Sequence, residues 1–132
     1  MEKVLAFLKE NPVFYFATEE GDKPRVRPFS FFMEYEGKLY FSMGRHKKVY
    51  RQILENPNIE ICAANGKGQW IRISGKVVAD DRPEVEEAVF NVMPRLREIY
   101  NQKTGNTIAP VYLVDAAAEF FDRTGKYEKI VF

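Results

Sequence analysis

Arg25 and Arg27 stand two residues apart in the stretch PRVRPF, Pro24 to Phe29. In a strand, side chains at that spacing leave one face. Two guanidinium groups side by side repel unless an anion or a carboxylate lies between them, and the guanidinium fork suits bidentate contact with phosphate. Glu19, Glu20 and Asp22, just upstream, could satisfy the pair instead as an ion cluster at a strand edge. A second run of cations, Arg45, His46, Lys47 and Lys48, follows Phe41, Ser42, Met43 and Gly44. There a strand closes near Ser42 and a helix opens within a few residues. The first turn of such a helix offers unpaired N–H groups and the positive end of its dipole. Lys47 and Lys48 are electrostatically misplaced at that end unless an anion is shared with them. Ser42 could add a hydroxyl. Alone, the run reads as a solvated loop. Together, the two clusters favour convergence on one phosphate, because the turn EYEGK is expected to fold the second strand against the third.

A third constellation is GQWIRISG, Gly68 to Gly75. Trp70, Arg72 and Ser74 share one strand face, and Ile71 and Ile73 the other. Gln69 and Trp70 could meet the edge and face of a ring system, or Trp70 could simply close the end of a barrel. Gly75 would admit a close backbone approach. His46 has no nucleophile or triad partner in view. Cys62, between Ile61 and Ala63, reads as an inert core cysteine. Glu84, Glu86 and Glu87 read as an ordinary acidic first turn of a helix. There is no Walker-type loop and no dinucleotide-binding glycine fingerprint. No residue stands out as a catalytic acid, base or nucleophile.

The elements that must position these groups follow from pattern. A short helix is expected over 2–10, ended by Asn11 and Pro12. Three strands joined by turns at 20–24 and 34–38 run from Val13 to Met43. A helix from about 46 to 55 carries Val49, Tyr50, Ile53 and Leu54 at helical spacing. A hairpin turns at 65–68. The segment from Arg82 to Gln102 is helical, with Pro94 kinking or dividing it. Two strands around the TGK turn end the chain. The predicted class is α+β, a six-stranded antiparallel split barrel of Greek-key type with flanking helices, as a single domain over 1–132. Apolar residues on successive positions, as in VFYFA and FSFF, mean that both sheet faces are covered, so the outer face needs a helix, a ligand or a second subunit. A homodimer is the expectation.

The bulk numbers set limits. A chain of 132 residues with 45% hydrophobic and 30% charged residues can bury a real core without staples. No apolar run is long enough to span a bilayer, and the interrupted N-terminal stretch lacks the marks of a signal peptide. One cysteine points to a reducing cytosol, and one Cys with one His excludes a single-chain Cys/His zinc site. A net charge of +1 gives no global pull toward nucleic acid or membrane, so anion binding must be local.

Three segments in order carry a family resemblance: FYFATEEGDKPRVRPFSFF, GKLYFSMGRHKKVYRQILENPNIEICA and GQWIRISGKVV. They cover most of residues 13–78, and AEFFDRTG fits less distinctively. The chain resembles the pyridoxamine 5′-phosphate oxidase-like family of FMN-binding split barrels, in its short branch of nitroimidazole-resistance-type proteins. The resemblance implies a dimer holding two FMN molecules at its interface. It places the phosphate-binding arginine on Arg27 with Arg25 nearby, the strand-end hydroxyl on Ser42 beside Met43, and the phosphate-binding lysine on Lys47 or Lys48. Pro28, Phe29 and Ser30 would lie against the isoalloxazine, and the flavin-edge position falls on Gln69 or Trp70. The arginine-rich C-terminal segment with which true pyridoxamine phosphate oxidases hold their substrate is missing, since the chain ends KYEKIVF.

The functional expectation is therefore an FMN-dependent oxidoreductase that moves hydride or electrons between a reduced nicotinamide, or another donor, and a small molecule. The alternative is a flavin- or heme-binding protein without turnover on the same scaffold. A nucleic-acid-binding barrel would need more positive charge than this chain carries.

Overall fold

The computed structural model describes all residues, 1–132. The elements in order are α1 (Glu2–Glu10), β1 (Phe14–Glu20), β2 (Lys23–Phe29), β3 (Met33–Tyr35), β4 (Lys38–Gly44), α2 (Lys48–Glu55), β5 (Asn58–Ala64), β6 (Trp70–Ala79), α3 (Pro83–Val92), a 3₁₀ turn (Pro94–Glu98), β7 (Ile108–Asp122) and β8 (Gly125–Val131). All strand pairs are antiparallel, in one sheet of order β2-β1-β5-β6-β7-β4-β3, with β8 pairing the second half of β7. The α+β antiparallel class is as expected. The strand count is eight rather than six, partly because the second predicted strand breaks at Ser30–Phe32.

That break shapes the site. β2 pairs with β1, and β3 pairs with β4, so two strands separated by three residues sit at opposite ends of the sheet order. A chain advances at most about 3.6 Å per residue, so the sheet must curl until its two edges are within roughly 15 Å of each other. Aromatic rings span the interior of this curl. Phe41 on β4 meets Phe14 and Phe16 on β1 at 5.7 and 5.6 Å between ring centroids, although β1 and β4 are not paired. Such contacts add about 0.5–1.5 kcal/mol each beyond their burial. The barrel is thus split along a seam, with β2 on one side and β3 and β4 on the other. The turn at 34–38 folds only the short β3 onto β4. The arginine-bearing β2 lies against β1, which corrects the expectation that the second strand packs along the third.

Helices close the barrel. α1 inserts Val4 and Leu8 into the main core, with Phe7 edge-on to Phe120 at 6.1 Å. α2 packs on β1 and β4 across the seam and buries Val49, Tyr50, Gln52 and Ile53. α3 covers a smaller core of Phe31, Met33, Tyr40, Val85, Val89 and Ile108. Pro94 divides the predicted helical segment, and the backbone tightens there to the 3₁₀ turn. Gly75 lies at the β6 bulge, where a Cβ would stand 2.8 Å from the Val114 carbonyl oxygen; the close backbone approach expected there is real. Cys62 is exposed, contrary to the expectation of a core cysteine. The strict alternation of β5 points Ile61 and Ala63 inward and Cys62 outward, between Tyr15 and Arg72 on the outer face. No helix is long and apolar enough to cross a membrane.

Candidate functional site

Register explains how a cation comes to face the barrel. Phe29, Arg27 and Arg25 on β2 lie opposite Phe14, Phe16 and Thr18 on β1, so all three take the inward face. Phe29 stacks on Phe16 at 4.7 Å. Arg27 is half-buried beside it, and its environment supplies only neutral acceptors. Nη1 donates to the Phe16 carbonyl at 3.0 Å and to Thr18 Oγ1 at 2.8 Å, and Nη2 donates to Gln52 Oε1 at 2.7 Å. The Thr18 hydroxyl donates to that same Gln52 oxygen at 2.6 Å. No carboxylate pairs with Arg27. Burial alone therefore pulls its guanidinium below the ordinary arginine value. A guanidinium carries five donors, of which three are engaged here. Because the Thr18–Gln52 pair occupies its end, the N–H groups left over are Nε and the second of Nη2, adjacent on one edge.

A cleft of about 640 Å³ opens at the seam. That is a small-molecule volume. Arg27, Pro28, Phe29, Ser30 and Phe31 line it from one edge; Ser42, Met43 and Gly44 at the end of β4 line it from the other. Lys47, Lys48 and Val49 bring the start of α2, and Met93, Arg95, Leu96, Ile99 and Tyr100 form a wall around the 3₁₀ turn. Four cations face this cleft and no carboxylate does. Neither Lys47, Lys48 nor Arg95 makes a salt bridge. α2 has no side-chain cap and no acidic residue in its first turn, so its N-terminal dipole is uncompensated. Ser42 Oγ is buried without a hydrogen-bond partner, the one such side-chain atom in the chain. A buried hydroxyl in that condition is costly unless something arrives to bond it. The donor set fits a phosphate: charged forks, helix N–H groups and a waiting hydroxyl converge from three elements.

The sequence-predicted residues divide. Arg27, Pro28, Phe29, Ser30, Ser42, Met43, Lys47 and Lys48 come together in the cleft. Arg25 does not line it; its guanidinium pairs with Glu20 at 3.0 Å, the hairpin ion pair weighed as the alternative. That contact is the first cause holding the Glu20 carboxyl below its usual range. Gln69 and Trp70 lie elsewhere on this chain. Trp70 stacks on Phe121 at 5.4 Å, at the end of β7 remote from Gly44 and Ile108. Gln69 is tied to Asn65 within the hairpin turn. Sequence reasoning missed Thr18 and Gln52, which hold Arg27, and the wall from Met93 to Tyr100. An isolated glutamine on the buried face of α2 was a readable signal. Tyr100 bears no side-chain hydrogen bond, and burial pushes its phenol up. A Cβ on Gly44 would stand 3.1 Å from its hydroxyl.

Fold and cleft together define a split antiparallel barrel with a cation-lined seam. The chain belongs to the pyridoxamine 5′-phosphate oxidase family, whose profile matches residues 1–121. It is similar to a NimC/NimA family protein from Clostridium acetobutylicum, with 42% identity over 100% of this chain and 93% of that one, and a TM-score of 0.90. A pyridoxamine 5′-phosphate oxidase-related, FMN-binding protein from Nostoc punctiforme shares the fold at 13% identity and a TM-score of 0.65, covering 99% of this chain and 95% of that one. A FAD-binding protein from Mesorhizobium loti does so at 15% identity and 0.61, covering 89% and 90%. No curated protein matches the chain.

Proposed function

We propose that the protein is an FMN-binding flavoprotein that works as an oxidoreductase, with the cofactor phosphate seated at Arg27, Ser42, Lys47, Lys48 and the first turn of α2. The observation that carries this reading is Arg27, a half-buried cation held by neutral acceptors in the same cleft that Ser42, with its unpartnered buried hydroxyl, lines from the other edge. The FMN-binding relative from Nostoc punctiforme supports the choice of cofactor. FMN, when bound, supplies the hydride and electron chemistry, and the protein supplies binding, orientation and exclusion of solvent. Pro28, Phe29 and Ser30 form the edge along which the isoalloxazine would lie. Gln69 and Trp70 could reach the flavin only from a second copy of the chain, so the reading includes a homodimer.

The test is an absorbance spectrum of the purified protein after FMN addition and desalting, followed by oxidation of NADH or NADPH with an added electron acceptor. Retained flavin bands and acceptor-dependent turnover support the full reading. Retained flavin without turnover with either nucleotide leaves a cofactor-binding protein. A colourless protein refutes the site. Light scattering checks the dimer.

A further inference from the structure

Arg27 is oriented by a pair of residues that could have been acidic and are not. Thr18 and Gln52 come from β1 and α2, are 2% and 5% exposed, and are bonded to each other as well as to the guanidinium. A carboxylate at either place would hold the same N–H groups and neutralise the charge. An amide and a hydroxyl hold them and leave it.

We propose that Gln52 and Thr18 are positioning residues that fix the Arg27 fork edge-on to the cleft while keeping its full charge for the ligand phosphate. This rests on the phosphate reading above. With both Nη groups tied toward the Thr18–Gln52 pair and the Phe16 carbonyl, the guanidinium cannot swing out to solvent or toward Glu20, which is itself bound to Arg25. The edge left over is the one that two phosphate oxygens can accept from together. Gln52 lies just over one turn along α2 from Lys48, so the helix that brings Lys47 and Lys48 to the cleft also fixes the arginine. A single rigid element thereby registers the strand cation Arg27 with the two lysines at its own start.

Paired titrations with FMN and riboflavin test it, since the two ligands differ by the phosphate alone. Gln52→Glu keeps the size and the acceptors but adds a charge. It is expected to weaken FMN by about tenfold or more, the scale of one charge-assisted hydrogen bond, with riboflavin affinity and melting temperature near wild type. Thr18→Val is expected to weaken FMN selectively, and Thr18→Ser to restore it. A purely structural role predicts instead that Gln52→Glu binds FMN normally, or that both ligands weaken together; either result overturns the proposal. A wild-type protein that binds FMN no more tightly than riboflavin would remove the phosphate reading itself, and this inference with it.

Discussion

Replacing Ser42 with alanine should stabilise the ligand-free protein and weaken it as a flavin binder. In the structure Ser42 Oγ is buried and bonded to nothing. An unsatisfied buried hydroxyl costs about 1–3 kcal/mol, and Ser42→Ala removes it while leaving a methyl group on the face of β4 that Tyr40 shares. For a chain of this size a gain of about 1–2 kcal/mol raises the melting temperature by roughly 3–8 °C. On binding, the wild-type hydroxyl would donate to a charged phosphate oxygen, an interaction on the order of 1.5–3 kcal/mol. Its loss would weaken FMN by roughly 10- to 150-fold. Differential scanning fluorimetry without flavin reads the first effect, and quenching of FMN fluorescence during titration reads the second. The two changes must have opposite signs. A variant that melts at or below wild type and binds FMN normally would show that Ser42 is an ordinary strand residue, and that the cleft holds its anion elsewhere.

Three further outcomes follow from particular contacts. Arg27→Ala leaves the Thr18–Gln52 hydrogen bond in place, so it and the Lys47→Ala/Lys48→Ala pair should stay folded by circular dichroism yet fail to retain FMN on desalting. Gly75→Ala would press a Cβ onto the Val114 carbonyl oxygen and Leu113 Cδ1, at 2.8 and 2.9 Å; backbone must move, and a loss of about 1–3 kcal/mol in urea unfolding is expected. Burial, with the Asp80 carboxylate that its hydroxyl bonds at 2.8 Å, pushes the Tyr40 phenol up to about 12 from an ordinary 10.0. Between those values the unfolded chain has released this proton and the folded one has not, so stability falls as pH rises through that window. Thermal melts of Tyr40→Phe should lose that part of the alkaline decline, and an unchanged decline would refute the assignment.

Local chemistry was legible wherever one residue type decides the backbone. The turns at 20–24, 34–38 and 65–68, the ends of α1 and α2 and the break at Pro94 all fall where Gly, Pro and Asn place them. The cleft was half legible for the same reason. Cations at a helix start and along a strand are visible in sequence, but their counter-charges are not. Arg25 and Arg27 share one face of β2 and meet different fates, because Arg25 lies beside Glu20 at the hairpin end and Arg27 lies beneath α2. Only the strand register with β1 and the placing of α2 separate them. Cys62 was misread because alternation fixes which residues share a face without saying which face is inside. The wall carrying Arg95 and Tyr100 arrives from a segment about 50 residues downstream of the lysines, through packing on the second core that no local pattern encodes. Gln69 and Trp70 sit at a far corner of the same chain, and only strand pairing, which no local pattern gives, separates them from the cleft.

The most direct measurement is a crystal structure of the protein with FMN bound. The phosphate is expected at the first turn of α2, accepting hydrogen bonds from Ser42 Oγ and from the unengaged edge of Arg27, with Lys47 or Lys48 alongside. A flavin whose phosphate lies away from Ser42 and Arg27, or a seam filled by apolar side chains of a second subunit, would contradict it.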